Sequence, residues 1–205
     1  MDRILKSLGT AMLAFVLATA AIALARPDEQ AETRHGFRAL EITPAIRRAG
    51  LRFASDTPAP DREWIRAAIA HARPEARRLI DEVDGLVEMR TQPGPIAMPD
   101  GGRAVGLTES TQGSFRITLD SATLSGHGAF SRDVVVLHEF GHVVDVALIP
   151  ADLAERLDAG IPRTGRCLSA TQHTGACTAP QERFADTFAN WALRGGVSAV
   201  APGYG

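Results

Sequence analysis

The chain has 205 residues, 45% of them apolar and 22% charged, with a formal net charge of -2. That composition fits a globular protein of one or at most two domains and excludes the disordered, collagen-like and coiled-coil classes. Without Asp2, Arg3 and Lys6 the remainder holds 20 basic and 23 acidic residues and no lysine, so nucleic acid is not an expected partner and lysine-based covalent catalysis is excluded.

Arg3 and Lys6 precede an apolar run from Leu8 to Ala25 that ends in Ala23-Leu24-Ala25, the small-x-small pattern of a cleaved export signal. Residues 1–25 therefore read as a signal peptide, with an uncleaved membrane anchor as the alternative. The mature protein is expected to be exported, secreted or periplasmic, and to meet a membrane only through that segment. Residues 26–40 are polar and mixed in charge, and read as a flexible tether. Residues 41–205 are enough for one domain with one core, and a monomer is expected.

Within that domain, Asp61 to Asp84 has helical spacing in Trp64, Ile65, Ala68 and Ile69, with Pro74 kinking or dividing the helix and Gly85 closing it. Leu86 to Thr91 reads as a strand, and the stretch around Pro93, Pro95 and Pro99 as a loop. Arg103 to Glu109 with Phe115 to Asp120 reads as a hairpin turning at Thr111-Gln112-Gly113. Asp133 to Ile149 is a strongly apolar helix, with Ser131 as N-cap and Pro150 ending it. A later helix carries Phe184, Phe188 and Trp191 as its core stripe, with a capping box at Thr178 to Gln181. Cys167 and Cys177 are expected to form a loop disulfide, worth about 2 to 3 kcal/mol. A Cys167/His173/Cys177 metal site is the weaker reading, because it lacks a fourth ligand.

The chemistry centres on His138-Glu139-Phe140-Gly141-His142. Histidines at i and i+4 lie one turn apart on one helical face, so both imidazoles reach a single tetrahedral zinc ion, with Glu139 beside the open coordination position. Chance alone gives H-E-x-x-H in about 1% of chains of this composition, so context has to carry the reading. Here the motif, with Asp145, forms the one polar stripe on an otherwise apolar helix, where polar groups need partners. A third ligand six residues beyond His142 is ruled out, since that position is Leu148. Glu182 is the candidate third ligand. Asp186, one turn along the same side, is placed to accept the outer N–H of His138 or His142. Glu155 and Asp158 are weaker candidates for the third ligand.

His138-Glu-Phe-Gly-His142 followed by Val-Val-Asp145, then Glu182-Arg-Phe-Ala-Asp186-Thr-Phe188, resembles the anthrax lethal factor catalytic domain and the secreted Pro-Pro endopeptidases, within the gluzincin zinc metallopeptidases. The resemblance implies His138, His142 and Glu182 as ligands of one zinc ion and Glu139 as general base. It further implies an α+β catalytic domain with its substrate along an edge strand. Those relatives place an oxyanion-supporting Tyr shortly before the third ligand, whereas this chain has only Tyr204. His173 is the candidate substitute, with His127 as an outside candidate.

The expected protein is thus an α+β, zincin-like domain: a small, mostly antiparallel sheet packed on an active-site helix and on a second helix carrying the third ligand. It would be a secreted zinc metalloendopeptidase acting on a protein or peptide substrate. The alternative is a non-catalytic, zinc-stabilised exported or membrane-tethered module that binds protein partners. A third reading makes Arg26 to Pro60 an inhibitory pro-segment. The stretch from Pro150 to Pro180 is long enough for a cleft wall or lid.

Overall fold

The computed structural model describes residues 49–98, 101–111, 113–125, 131–161 and 180–193. The signal, tether and cysteine-loop expectations lie outside them, as do His127 and His173. The described elements are strand β1 (Arg52–Phe53), helices α1 (Ala59–His71) and α2 (Pro74–Val83), and strands β2 (Val87–Gln92), β3 (Ile96–Ala97), β4 (Arg103–Ala104), β5 (Gly106–Thr111) and β6 (Ser114–Asp120). Four helices follow: α3 (Ser121–Ser125), α4 (Arg132–Leu148), α5 (Ala151–Gly160) and α6 (Pro180–Ala192). The class is α+β. None of the described helices is long and apolar enough to cross a membrane.

Pro74 divides the first helical stretch because its ring fixes φ and removes an N–H donor, so α1 ends and α2 begins with that proline. A short 3-10 turn over Asp84–Leu86 then leads into β2. The main sheet has the order β1-β2-β6-β5. β1 and β6 both run parallel to β2, and only β5 and β6 are antiparallel. The sheet is therefore mixed, which corrects the expectation of a mostly antiparallel one. The reason is connectivity: α1 and α2 form a helical crossover between β1 and β2, and the chain between β2 and β6 returns through β3, β4 and β5 before pairing.

Alternation sets the two faces. Val87, Met89, Phe115, Ile117 and Leu119 point into the core, while Glu88, Arg90 and Arg116 between them lie on the other face. On the outer face one register row reads Arg52, Glu88, Arg116, Glu109 across all four strands, and the Arg116 Nε lies 3.6 Å from the Glu88 Oε1. Alternating charge suits a solvated face, so the apolar side of the sheet is the side the helices cover.

Helix α4 lies in that covered layer, its Val134, Val136, Leu137, Phe140, Val143, Val144 and Ala147 all buried. It packs against α1, α2, β5 and, most extensively, α6. Its start is pinned from two sides. The Arg132 Nε donates to the Leu124 carbonyl at 2.7 Å, and its guanidinium lies over the Trp64 ring. His71, in the last turn of α1, meets Asp133 at 2.8 Å. Ser131 takes the N-cap position in extended conformation without a side-chain capping bond.

Asp120, fully buried at the end of β6, accepts N–H bonds from Gly94, Ala122 and Thr123 and the Thr123 hydroxyl. Burial opposes its charge, but the bonds from Thr123, Gly94 and Ala122 outweigh it, and its carboxyl stays below the usual range.

Candidate metal centre

Three side chains converge from two helices. His138 and His142, one turn apart on α4, bring their Nε2 atoms to 3.1 Å, with the rings nearly perpendicular at 83°. From α6, the Glu182 Oε2 lies 3.3 Å from the His138 Nε2, and its Oε1 lies 3.5 Å from the His142 Nε2. Donors bound at 2.0–2.1 Å to a tetrahedral ion stand about 3.3 to 3.4 Å apart. The three observed spacings straddle that figure, so the residues fit a metal ion. Among the described residues, His138, His142 and Glu182 form the one such group.

The outer side of His138 is held as well. Its Nδ1 lies 2.9 Å from the Oδ1 of Asp186, itself only 5% exposed. The carboxylate accepts the Nδ1 proton, so a neutral His138 turns a bare Nε2 lone pair towards Glu182. Carboxylate and lone pair repel unless a cation lies between them, and either a proton or a metal ion meets that need. Burial opposes a charge on His138, but hydrogen bonds to Asp186 and Glu182 and the charges of Glu139 and Asp186 overcome it, and its pKa is pushed up to about 10. Glu182 answers in kind: burial works against its charge, yet the bonds to His138 and His142 hold its carboxyl far below the usual carboxylate range.

Close helix packing permits this geometry. A Cβ on Gly141 would stand 2.7 Å from the Ala185 Cα, so glycine lets the two helix backbones approach where Glu182 and Asp186 face the histidines. Helix α6 is fixed at both ends. Arg183 donates to Asp158 of α5 from Nε at 2.9 Å and from Nη2, and near the other end Arg73 lies over the Trp191 ring while its N–H bonds the Ala192 carbonyl.

Glu139 faces β5. It is 5% exposed, and its Oε2 accepts the Thr108 hydroxyl at 2.7 Å. A Cβ on Gly106 would overlap the Glu139 Oε1 and lie 2.8 Å from its Cδ. The carboxylate thus rests on an edge strand, since no described strand pairs with the other side of β5.

No family model, curated protein or solved structure matches this chain.

The structure brings together His138, His142, Glu182 and Asp186, and sets Glu139 close enough for its charge to act on His138. It keeps the weaker candidates away from the centre: Asp158 is engaged by Arg183, and Glu155 is exposed on α5. His173, Cys167 and Cys177 lie outside the described residues. Sequence reasoning passed over Thr108, Gly106 and the role of Gly141. The one available signal for Thr108 was that a carboxylate on an apolar helix needs a donor, and the hairpin supplies hydroxyls at alternate positions.

Proposed function

We propose that this chain is a zinc-dependent metalloendopeptidase with a zincin-like fold, exported from the cell. The observation that carries the reading is a buried carboxylate, Glu139, whose charge acts on His138 of a His/His/Glu donor set and which rests against the edge of a sheet. A donor set of two imidazoles and one carboxylate favours zinc over the harder divalent ions. When bound, zinc supplies Lewis-acid polarisation of a peptide carbonyl and lowers the pKa of water to about 7.

The chain's own residues supply the rest. Glu139 takes a proton from the attacking water as the water oxygen bonds to the carbonyl carbon, and then gives that proton to the amide nitrogen, so that the tetrahedral species collapses with the C–N bond breaking and the amine leaving. Asp186 fixes the His138 ring and its tautomer. The edge of β5 that no described strand covers offers backbone N–H and C=O groups to an extended peptide, so protein or peptide is the substrate class. The non-catalytic binding-module reading has less support, because structural zinc sites are closed by four protein ligands and have no need of a neighbouring glutamate.

The test is hydrolysis of unstructured proteins such as casein, with and without chelator, beside Glu139→Gln. Chelator-sensitive cleavage that disappears in a metal-loaded Glu139→Gln variant supports the reading. A fully active, metal-loaded Glu139→Gln protein refutes the role of Glu139.

A further inference from the structure

The peptidase reading leaves open what holds Glu139 in place, since a glutamate has three rotatable bonds and a general base must stay within hydrogen-bond reach of its proton. Two residues of β5 on the same face of the strand answer this. Thr108 donates its single hydroxyl proton to Oε2 at 2.7 Å, with the Glu139 backbone carbonyl a more distant acceptor at 3.2 Å. Gly106, two residues earlier, presents bare backbone where a Cβ would overlap Oε1 and crowd Cδ and Cγ at 2.8 and 2.9 Å. The carboxylate is therefore bonded at one oxygen, and the other takes the place that a side chain at position 106 would fill.

The strand is itself well anchored. Gly106 pairs with Leu119 and Thr108 with Ile117 of β6, and both partners are fully buried core residues. A hydroxyl bond to an ionised carboxylate is among the stronger kinds, and here the Glu139 carboxylate is buried and Thr108 half-buried.

The geometry points to Thr108 as a positioning residue, which together with the empty space at Gly106 holds the Glu139 carboxylate beside the metal centre; the inference rests on the peptidase reading above. Thr108 touches neither metal nor substrate in this role and acts only through Glu139. Of the two glycines in close contact around the site, Gly106 abuts the end of a flexible side chain and Gly141 abuts helix backbone. Gly106→Ala should accordingly move Glu139 and leave the fold intact.

The test compares Thr108→Val, Thr108→Ser and Gly106→Ala in the full chain loaded with zinc, using a peptide that the parent cleaves. Thr108→Val should lower kcat by about tenfold, the equivalent of one lost hydrogen bond in the transition state, with KM and zinc content unchanged. Thr108→Ser, which keeps the hydroxyl, should stay within about twofold of the parent. Gly106→Ala should lower kcat with zinc retained. Unchanged kcat in Thr108→Val, or no rescue by serine, overturns the assignment.

A second arm needs no turnover. Thr108→Val should shift the denaturant midpoint more in the parent than in a Glu139→Ala background, and equal shifts would mean that the hydroxyl serves only the helix backbone, which overturns the inference. A parent that holds zinc yet hydrolyses no peptide defeats the peptidase reading and the kinetic role together. Normal hydrolysis with equal midpoint shifts defeats the Thr108 assignment alone.

Discussion

Ala185, the residue that Gly141 touches across the interface of α4 and α6, lies between the two carboxylates that face the histidines: Glu182 three positions before it and Asp186 one after. Helix spacing and metal geometry are thereby one variable. Gly141→Ala would ordinarily favour a helix by about 1 kcal/mol. Here the added methyl meets helix backbone, and overpacking of that kind costs about 1 to 3 kcal/mol. The expected outcome is a lower denaturant midpoint together with weaker zinc binding in titrations. A more stable Gly141→Ala protein with unaltered zinc affinity would contradict the packing argument.

Asp186→Ala removes the acceptor of the His138 Nδ1 proton and leaves the ring free to turn. Loss of such an outer partner typically weakens metal binding by about 10- to 100-fold. Asp186→Asn keeps an acceptor oxygen without the charge, so its affinity should fall between those of the parent and the alanine variant. Competition titration against a chelator of known affinity measures all three, and equal affinities would remove Asp186 from the site.

The contact between Arg183 and Asp158 ties the helix of the third ligand to α5, with side chains only 11% and 15% exposed. Removing one side of so shielded a pair weakens the hold on the other charge and costs up to about 3 kcal/mol. Asp158→Ala should therefore destabilise the protein by roughly that amount in chemical denaturation. Arg183→Met combined with Asp158→Leu should recover part of it, because both charges leave the shielded contact together.

In the metal-free protein His138 is raised from 6.5 to about 10, so its contribution to stability is complete below pH 6.5 and is lost as pH rises through about 10. Glu182 is lowered from 4.5, so its contribution is present above pH 4.5 and is lost on acidification. Metal-free protein should thus be most stable between about pH 4.5 and 6.5 and weaken on the alkaline side. Zinc affinity should climb over the alkaline range, since the ion displaces the proton of His138. Urea midpoints and zinc titrations at matched pH values check both signs.

Much of this arrangement is legible in the sequence because it is local. The apolar run of α4 between Ser131 and Pro150 and the i, i+4 spacing of its histidines follow from one helical period. So does the stripe of Phe184, Phe188 and Trp191 on α6, which leaves Glu182 and Asp186 on another face of that helix. Pro74 as a divider and the β5–β6 hairpin are equally local signals, although Arg103 and Ala104, read as part of that hairpin, pair instead with Ala97 and Ile96 inside the stretch read as a loop.

What was not legible depends on tertiary register. β1 is two residues long and has no periodicity to read, and the parallel pairing of β2 with β6 joins strands separated in the chain and leaves no local signal, so the parallel side of the sheet was missed. Thr108 looks like any strand threonine until β5 is set against α4, and Gly141 looks like a mere helix-weakening residue until Ala185 stands opposite.

Elemental analysis of the purified protein beside His142→Ala and Glu182→Ala tests the central claim most directly. The parent should hold about one zinc ion per chain and both variants should show clear loss, because each removes one of three donors. A folded parent that takes up no zinc when zinc is supplied would contradict that claim, and so would variants that retain the full complement.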